Sequence, residues 1–186
     1  MSPPDDASLR ASTLTDEHAI KRILLRWCRA IDRLDLAAIP DLFHPDAEDD
    51  HVFYKGDIPG LVDALAKRHE KISFSCHQLG NVLIEFIKPG LAIAESYVQV
   101  TQHVQTATPG CSDVQTSWCR YIDTFESRLG TWRISHRLLV IDAASEHALA
   151  PGQVFSVPAG NTARRDQSDP VFVARRRLLS RINADT

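Results

Sequence analysis

The sequence predicts an α+β fold, with helices gathered on one side of a curved antiparallel or mixed sheet. Three observations point there. Apolar residues recur at helical spacing ahead of Ser73, and β-type runs broken by glycine turns fill Ser73 to Asp142. The composition, 186 residues with 44% hydrophobic and 7% aromatic content, is that of an ordinary globular chain able to bury one core.

Residues 1–13 read as a loose leader rich in prolines and acids. A helix is expected from Thr15 to Leu36, where Ile20, Ile23, Leu24, Trp27, Ile31 and Leu34 form one apolar stripe. Thr15 or Asp16 can cap its first turn, with Leu14 as the staple. Asp32 lies late in this helix, about a third of a turn from the centre of the stripe at roughly 100° per residue. A carboxylate there is either a solvated edge residue, near Arg29 or Arg33, or an acid held against a pocket. Asp35 can cap a shorter helical segment through Phe43, and His44 to Gly56 reads as a loop leading to an edge strand. Asp57 and Pro59 mark the start of another helix, carried by Leu61, Leu65 and Arg68 to about Lys71.

Two hairpins follow. Ser73 to Ile87 turns at Lys88-Pro89-Gly90 into a strand from Leu91 to Val104, and Val114 to Arg128 turns at Leu129-Gly130 into Thr131 to Asp142. In the last strand strict alternation sets Ile134, Leu138, Val140 and His136 on one face and Arg137, Leu139 and Ile141 on the other. Both faces are substantially apolar, so the second meets either a pocket or another subunit.

Several function classes are excluded or unsupported. A net charge of −3 offers no general attraction for nucleic acid or an anionic membrane, and no apolar run approaches a membrane span. The N-terminus lacks the basic and apolar regions of a signal peptide, and Cys28, Cys76, Cys111 and Cys119 form no metal or disulfide pattern, so a cytoplasmic protein with free thiols is expected. His44, Asp46, Asp49, Asp50 and His51 could suggest a metal, but their spacing matches no recognised site. Neither a phosphate-binding loop nor a nucleophile elbow is present.

Four blocks, RWCRAIDRLDL, FHPDAEDDHVFYKG, SCHQLGNVLI and CRYIDTFESRLGTWRISHRLLVID, resemble in order the SnoaL-like branch of the NTF2-like superfamily, which includes scytalone dehydratase and hexachlorocyclohexane dehydrochlorinase. The resemblance covers residues 14–142 and implies a cone in which helices close over a strongly bent sheet around an apolar cavity. This superfamily carries enzymes, subunits and simple binders on one scaffold, so function must be argued from the site.

Residue by residue, the resemblance matches Asp32 to the helix aspartate of dehydratase-like members and His77 to its partner histidine. Arg137 resembles the pocket arginine of the dehydrochlorinase, Tyr54 a tyrosine that helps hold water against the substrate carbonyl in the dehydratase, and His103 that enzyme's second histidine. Alternation turns His103 away from the cavity unless a bulge intervenes, and Arg137 can instead pair with Asp123 or Glu95 across the sheet. The chemistry expected is elimination or isomerisation of a small apolar, cyclic or aromatic molecule, with no metal or organic cofactor. His77 would be the base, Asp32 its orienting carboxylate, and Arg137 and Tyr54 the electrophilic groups. The alternative is a non-catalytic ligand-binding or structural protein.

Residues 143–186 lie outside the resemblance. They read as an extended arm followed by a basic amphipathic helix starting at Asp169-Pro170, which packs on the domain or a neighbouring subunit. A homo-oligomer is expected, a trimer by resemblance to the dehydratases or a dimer.

Overall fold

The structure, a computed structural model, describes residues 6–109, 111–149 and 162–184. The first helix, α1, spans Asp6–Arg33, so residues 6–13 of the expected leader are helical. Thr15 and Asp16 lie inside the helix rather than at its cap, Asp16 accepts a 2.7 Å hydrogen bond from Trp132 Nε1, and Leu14 is exposed rather than stapling. Termination is local. Leu34 takes a left-handed φ of 51°, and the amide of Asp35 reaches back to the Ala30 carbonyl at 2.9 Å, the signature of a Schellman closure. The expected stripe is buried as far as Ile31. Two 3₁₀ turns, Leu36–Ala38 and Pro40–Leu42, replace the expected second helical segment, and Asp35 makes no side-chain cap there.

The sheet has six strands: β1 (Phe43–His51), β2 (Tyr54–Asp57), β3 (Ile72–Lys88), β4 (Leu91–Gln105), β5 (Ser112–Arg128) and β6 (Thr131–Leu149). Their order is β2-β1-β6-β5-β4-β3, with β1 parallel to β6 and every other pairing antiparallel. The sheet is therefore mixed and open, and the expected α+β fold is what the chain adopts. β1 corrects the expected loop. Its polar residues gave no amphipathic signal because His44, Asp49 and His51 are themselves buried on hydrogen-bonded partners.

Helix α2 (Ile58–His69) starts where expected, with Asp57 Oδ1 accepting from the Gly60 amide at 2.9 Å. It buries Ile58, Leu61, Leu65 and His69. At the two hairpin turns Gly90 has φ 76°, and Leu129 and Gly130 have φ 52° and 77°. Two successive positive values suit a two-residue type I′ turn.

Bulges change which side chains reach the core. In β6 the register with β5 passes from Ile134 to His136 and from Ile141 to Ala143, leaving Ser135 and Asp142 as extra residues. The Ser135 bulge corrects the alternation expected for Ile134: it shares the buried side with Arg137, while His136 and Leu138 are exposed. β6 also continues to Leu149, into the stretch expected to be an arm. Residues 150–161 of that arm lie outside the described residues, and the part from Thr162 to Gln167 has no helix or strand. The core fills the space between α1, α2 and the inner side of β3 to β6, centred on Trp27, Phe43, Phe125 and Ile134. A last helix, α3 (Pro170–Ala184), follows Asp169, whose carboxylate meets Arg33 at 3.1 Å and the Val171 amide at 3.0 Å.

Candidate active site

A cavity of about 170 Å³ lies under α1 and α2, against the inner side of the sheet. Ile31, Leu65, Val100, Leu139 and Ile141 supply apolar wall, and Trp27, Phe53 and Tyr121 supply aromatic wall. Three imidazoles, His51, His69 and His77, line the same space.

Asp32 and His77 are brought together. The last turn of α1 presents the carboxylate to β3, where Oδ1 meets His77 Nδ1 at 2.7 Å and Oδ2 accepts from the His77 amide at 3.0 Å. Gripping backbone and ring at once fixes both position and tautomer: Nδ1 carries the proton, and Nε2 has no protein partner among the described residues. The side chains of Asp32 and His77 are 13% and 7% exposed, so the contact is shielded without being sealed.

His51 repeats the arrangement from β1. Its Nδ1 is held by fully buried Asp49, and its ring leans on Trp27, Phe53 and Tyr121. His69, in the last turn of α2, is held differently. Arg165, from the segment before α3, donates through Nη2 to His69 Nδ1 at 2.5 Å. Arg165 also donates to the carbonyls of Ile31 (3.2 Å), Asp32 (3.2 Å) and Ile72 (2.5 Å), so it caps the C-terminal end of α1 beside the dyad. Burial, then the charge of Arg165, with smaller contributions from His77 and Arg68, pulls the His69 pKa down to about 4, and Asp32 opposes them weakly.

The remaining expected residues sit elsewhere. Arg137 is fully buried and does not line the cavity. Asp123 holds it with two parallel bonds of 2.7 and 2.8 Å, while the rings of Trp27 and Tyr121 lie 4.4 and 4.2 Å from its guanidinium carbon. Burial works against that charge, but Asp123 outweighs it and holds the pKa above the usual arginine value. The Tyr54 hydroxyl donates to the Asp57 carbonyl at 2.9 Å, at the start of α2 and outside the cavity lining. His103 faces away because the β4–β5 register runs unbroken past it. Gln102 and Val100 line the cavity instead, and His103 packs on Phe74 with ring centres 5.0 Å apart.

His51 and His69 are the cavity residues that sequence reasoning missed as site residues. His69 left a trace, since it falls on the apolar stripe of α2, four residues after Leu65. The five residues that could suggest a metal disperse instead of converging: His44 bonds the Glu126 carbonyl, Asp46 pairs with Arg128, Asp49 holds His51 and Asp50 pairs with Lys55. No group of three or more His, Cys, Asp or Glu side chains is placed to hold a metal ion among the described residues.

The family described as SnoaL-like domain matches residues 12–138. No curated protein matches the sequence. Among solved structures, a type 2 hexachlorocyclohexane dehydrochlorinase is similar at TM-score 0.70 and 16% identity, covering 81% of this chain and 99% of its own. A scytalone dehydratase-like protein from Novosphingobium aromaticivorans is similar at TM-score 0.66 and 17% identity, covering 82% and 99%. A protein from the same organism designated the beta subunit of an aromatic-ring-hydroxylating dioxygenase is similar at TM-score 0.58 and 18% identity, covering 77% and 96%. At these identities the likeness is one of fold.

Proposed function

Since the chain belongs to the SnoaL-like family of the NTF2-like superfamily, we propose that it is a cofactor-independent lyase or isomerase acting on a small apolar, ring-containing molecule. One observation carries this: a histidine whose Nδ1 is tied to a carboxylate and whose ring lines an apolar cavity. Neighbours named as a dehydrochlorinase and a dehydratase-like protein support the reaction class. His77 Nε2 takes a proton from carbon, and Asp32 stabilises the imidazolium that forms. The His77 imidazolium then returns that proton through Nε2 to the leaving group in an elimination, or to a second carbon in an isomerisation, with His51, anchored by Asp49, on the same cavity wall. Arg137, Tyr54 and His103 have no part in this scheme: Arg137 and Tyr54 are absent from the cavity lining, and His103 packs on Phe74.

The test is turnover of cyclic hydroxy ketones and hydroxylated aromatics by the parent and by His77→Ala and Asp32→Asn. A fall of about 10²–10⁴-fold is expected for each, and parental rates in both would end the proposal. A second reading, a non-catalytic binding or structural subunit, is favoured by the neighbour designated a beta subunit. It expects ligand binding with no turnover in the parent itself.

Self-association, as a trimer before a dimer, belongs to the proposal. Exposed Leu83, Ile87, Tyr97, Trp118 and Leu138 on the strands support it. A cytoplasmic setting is also proposed, supported by four free cysteines. No helix among the described residues is long and apolar enough to cross a membrane.

A further inference from the structure

The three cavity imidazoles are not chemically equivalent. At His51 and His77 a carboxylate accepts a hydrogen bond from Nδ1–H, which leaves Nε2 as a bare acceptor. At His69 the partner is a guanidinium, which has only donors to offer, so Nδ1 must be the unprotonated nitrogen. The ring proton is therefore on Nε2, which has no protein partner among the described residues, and the ring lines the cavity. His69 is 4% exposed, so this donor is shielded from bulk water.

We propose that His69 is a neutral hydrogen-bond donor to an oxygen of the bound molecule, set in that tautomer by Arg165, and that the substrate is a carbonyl compound that loses a proton from the carbon beside its carbonyl. This rests on the acid–base reading above. It supplies the electrophile that Arg137 and Tyr54 do not. His77 takes the α-proton, the C–H electron pair forms the C=C bond, and the carbonyl π electrons move to oxygen. The resulting enolate oxygen accepts from His69 Nε2–H. A neutral imidazole suits this task, because it polarises the oxygen without placing a second cation beside the His77 imidazolium. With a hydroxyl on the β-carbon, the carbonyl re-forms, the enolate C=C pair becomes the α,β double bond as the C–O bond breaks, and the hydroxyl leaves as water with the proton that His77 had taken. Arg165 is a positioning residue: it touches His69 and the α1 carbonyls, not the reacting atoms.

Two measurements test the assignment. In the unaltered protein, ¹⁵N–¹H correlation of the imidazole rings is expected to show the His69 proton on Nε2 across neutral pH. In Arg165→Met the two ring nitrogens should move toward a mixed tautomer. Calorimetric binding of 4-nitrophenolate is then compared with 4-nitrotoluene, which has the same outline without the oxygen. A preference for the phenolate of about ten-fold or more is expected; His69→Phe should abolish it and His69→Gln, which keeps an N–H donor, should restore part. A proton on Nδ1 in the unaltered protein, or an intact preference in His69→Phe, would overturn the proposal. If His77→Ala retained full turnover while both His69 results held, the acid–base reading would fail and the donor assignment would stand.

Discussion

Two carboxylate contacts in this protein share a length and differ in what surrounds them. Asp32 meets His77 Nδ1 at 2.7 Å, and Asp123 meets Arg137 Nε at 2.7 Å. The first pair stands at a cavity wall with a ring nitrogen free to face a ligand. The second is fully buried, with aromatic rings over the guanidinium, and its Nη1 finds no partner among the described residues. Both arginine and imidazole resemble family site residues, yet only the imidazole has somewhere to send its chemistry. A carboxylate contact becomes a site when the leftover polar atom of its partner faces a cavity, as in His77, and a structural tie when that atom is sealed in the core, as Arg137 Nη1 is.

The strongest way to break that contrast is to remove one partner from the sealed pair. Arg137→Met leaves Asp123 buried and unmatched, and a stability loss of about 3–5 kcal/mol is expected by chemical denaturation, much of it recovered by also replacing Asp123 with Leu. Asp32→Asn, whose partner is reached by solvent and ligand, should lower stability by only about 1 kcal/mol while cutting turnover by about 10²–10⁴-fold. Equal stability losses in the two pairs would dissolve the distinction.

A second prediction sharpens the comparison on the cavity side, through pH. His69 binds its proton less readily when folded, with a pKa near 4 against 6.5 for the free side chain. Between these values the unfolded chain holds more protons. The His69 contribution is therefore complete above about pH 6.5 and is lost as pH falls toward 4, by roughly 2 kcal/mol once partial solvent screening is allowed for. Denaturation midpoints across this window should show the slope in the parent and lose that component in His69→Phe.

How legible these regions were from sequence follows the same division. Helix periodicity, the Asp57 cap and both glycine turns located α1, α2 and the two long hairpins because those signals are local. Block resemblance alone pairs Asp32 with His77, and the contact between them rests on long-range packing that no local signal carries. From sequence β1 reads as a loop, since its Asp and His residues are buried through partners 2 and 82 positions away. The orientation of Ile134 depended on the Ser135 bulge, which follows from pairing with β5 and leaves no trace in β6 itself. His69 could have been noticed as the polar residue on the α2 stripe. Its tautomer could not, because Arg165 lies 96 positions further along the chain.

The smallest effect is expected at Tyr54, where resemblance and geometry disagree most openly. Its hydroxyl is engaged by the Asp57 carbonyl and carboxylate, and an added Cβ at Gly60 would come within 2.1 Å of it, so the phenol is seated over the first turn of α2. Removing the hydroxyl takes a bond from the helix start without touching the cavity. Tyr54→Phe should therefore lower the thermal midpoint by less than Asp57→Ala, which strips the cap itself at a cost of about 1 kcal/mol. Turnover should stay at the parent level, measured on whichever ketone the parent accepts. A large kinetic loss with an unchanged midpoint would mean that the hydroxyl leaves Asp57 and enters the cavity when substrate binds, and the boundary between open and sealed groups would have to be redrawn to include it.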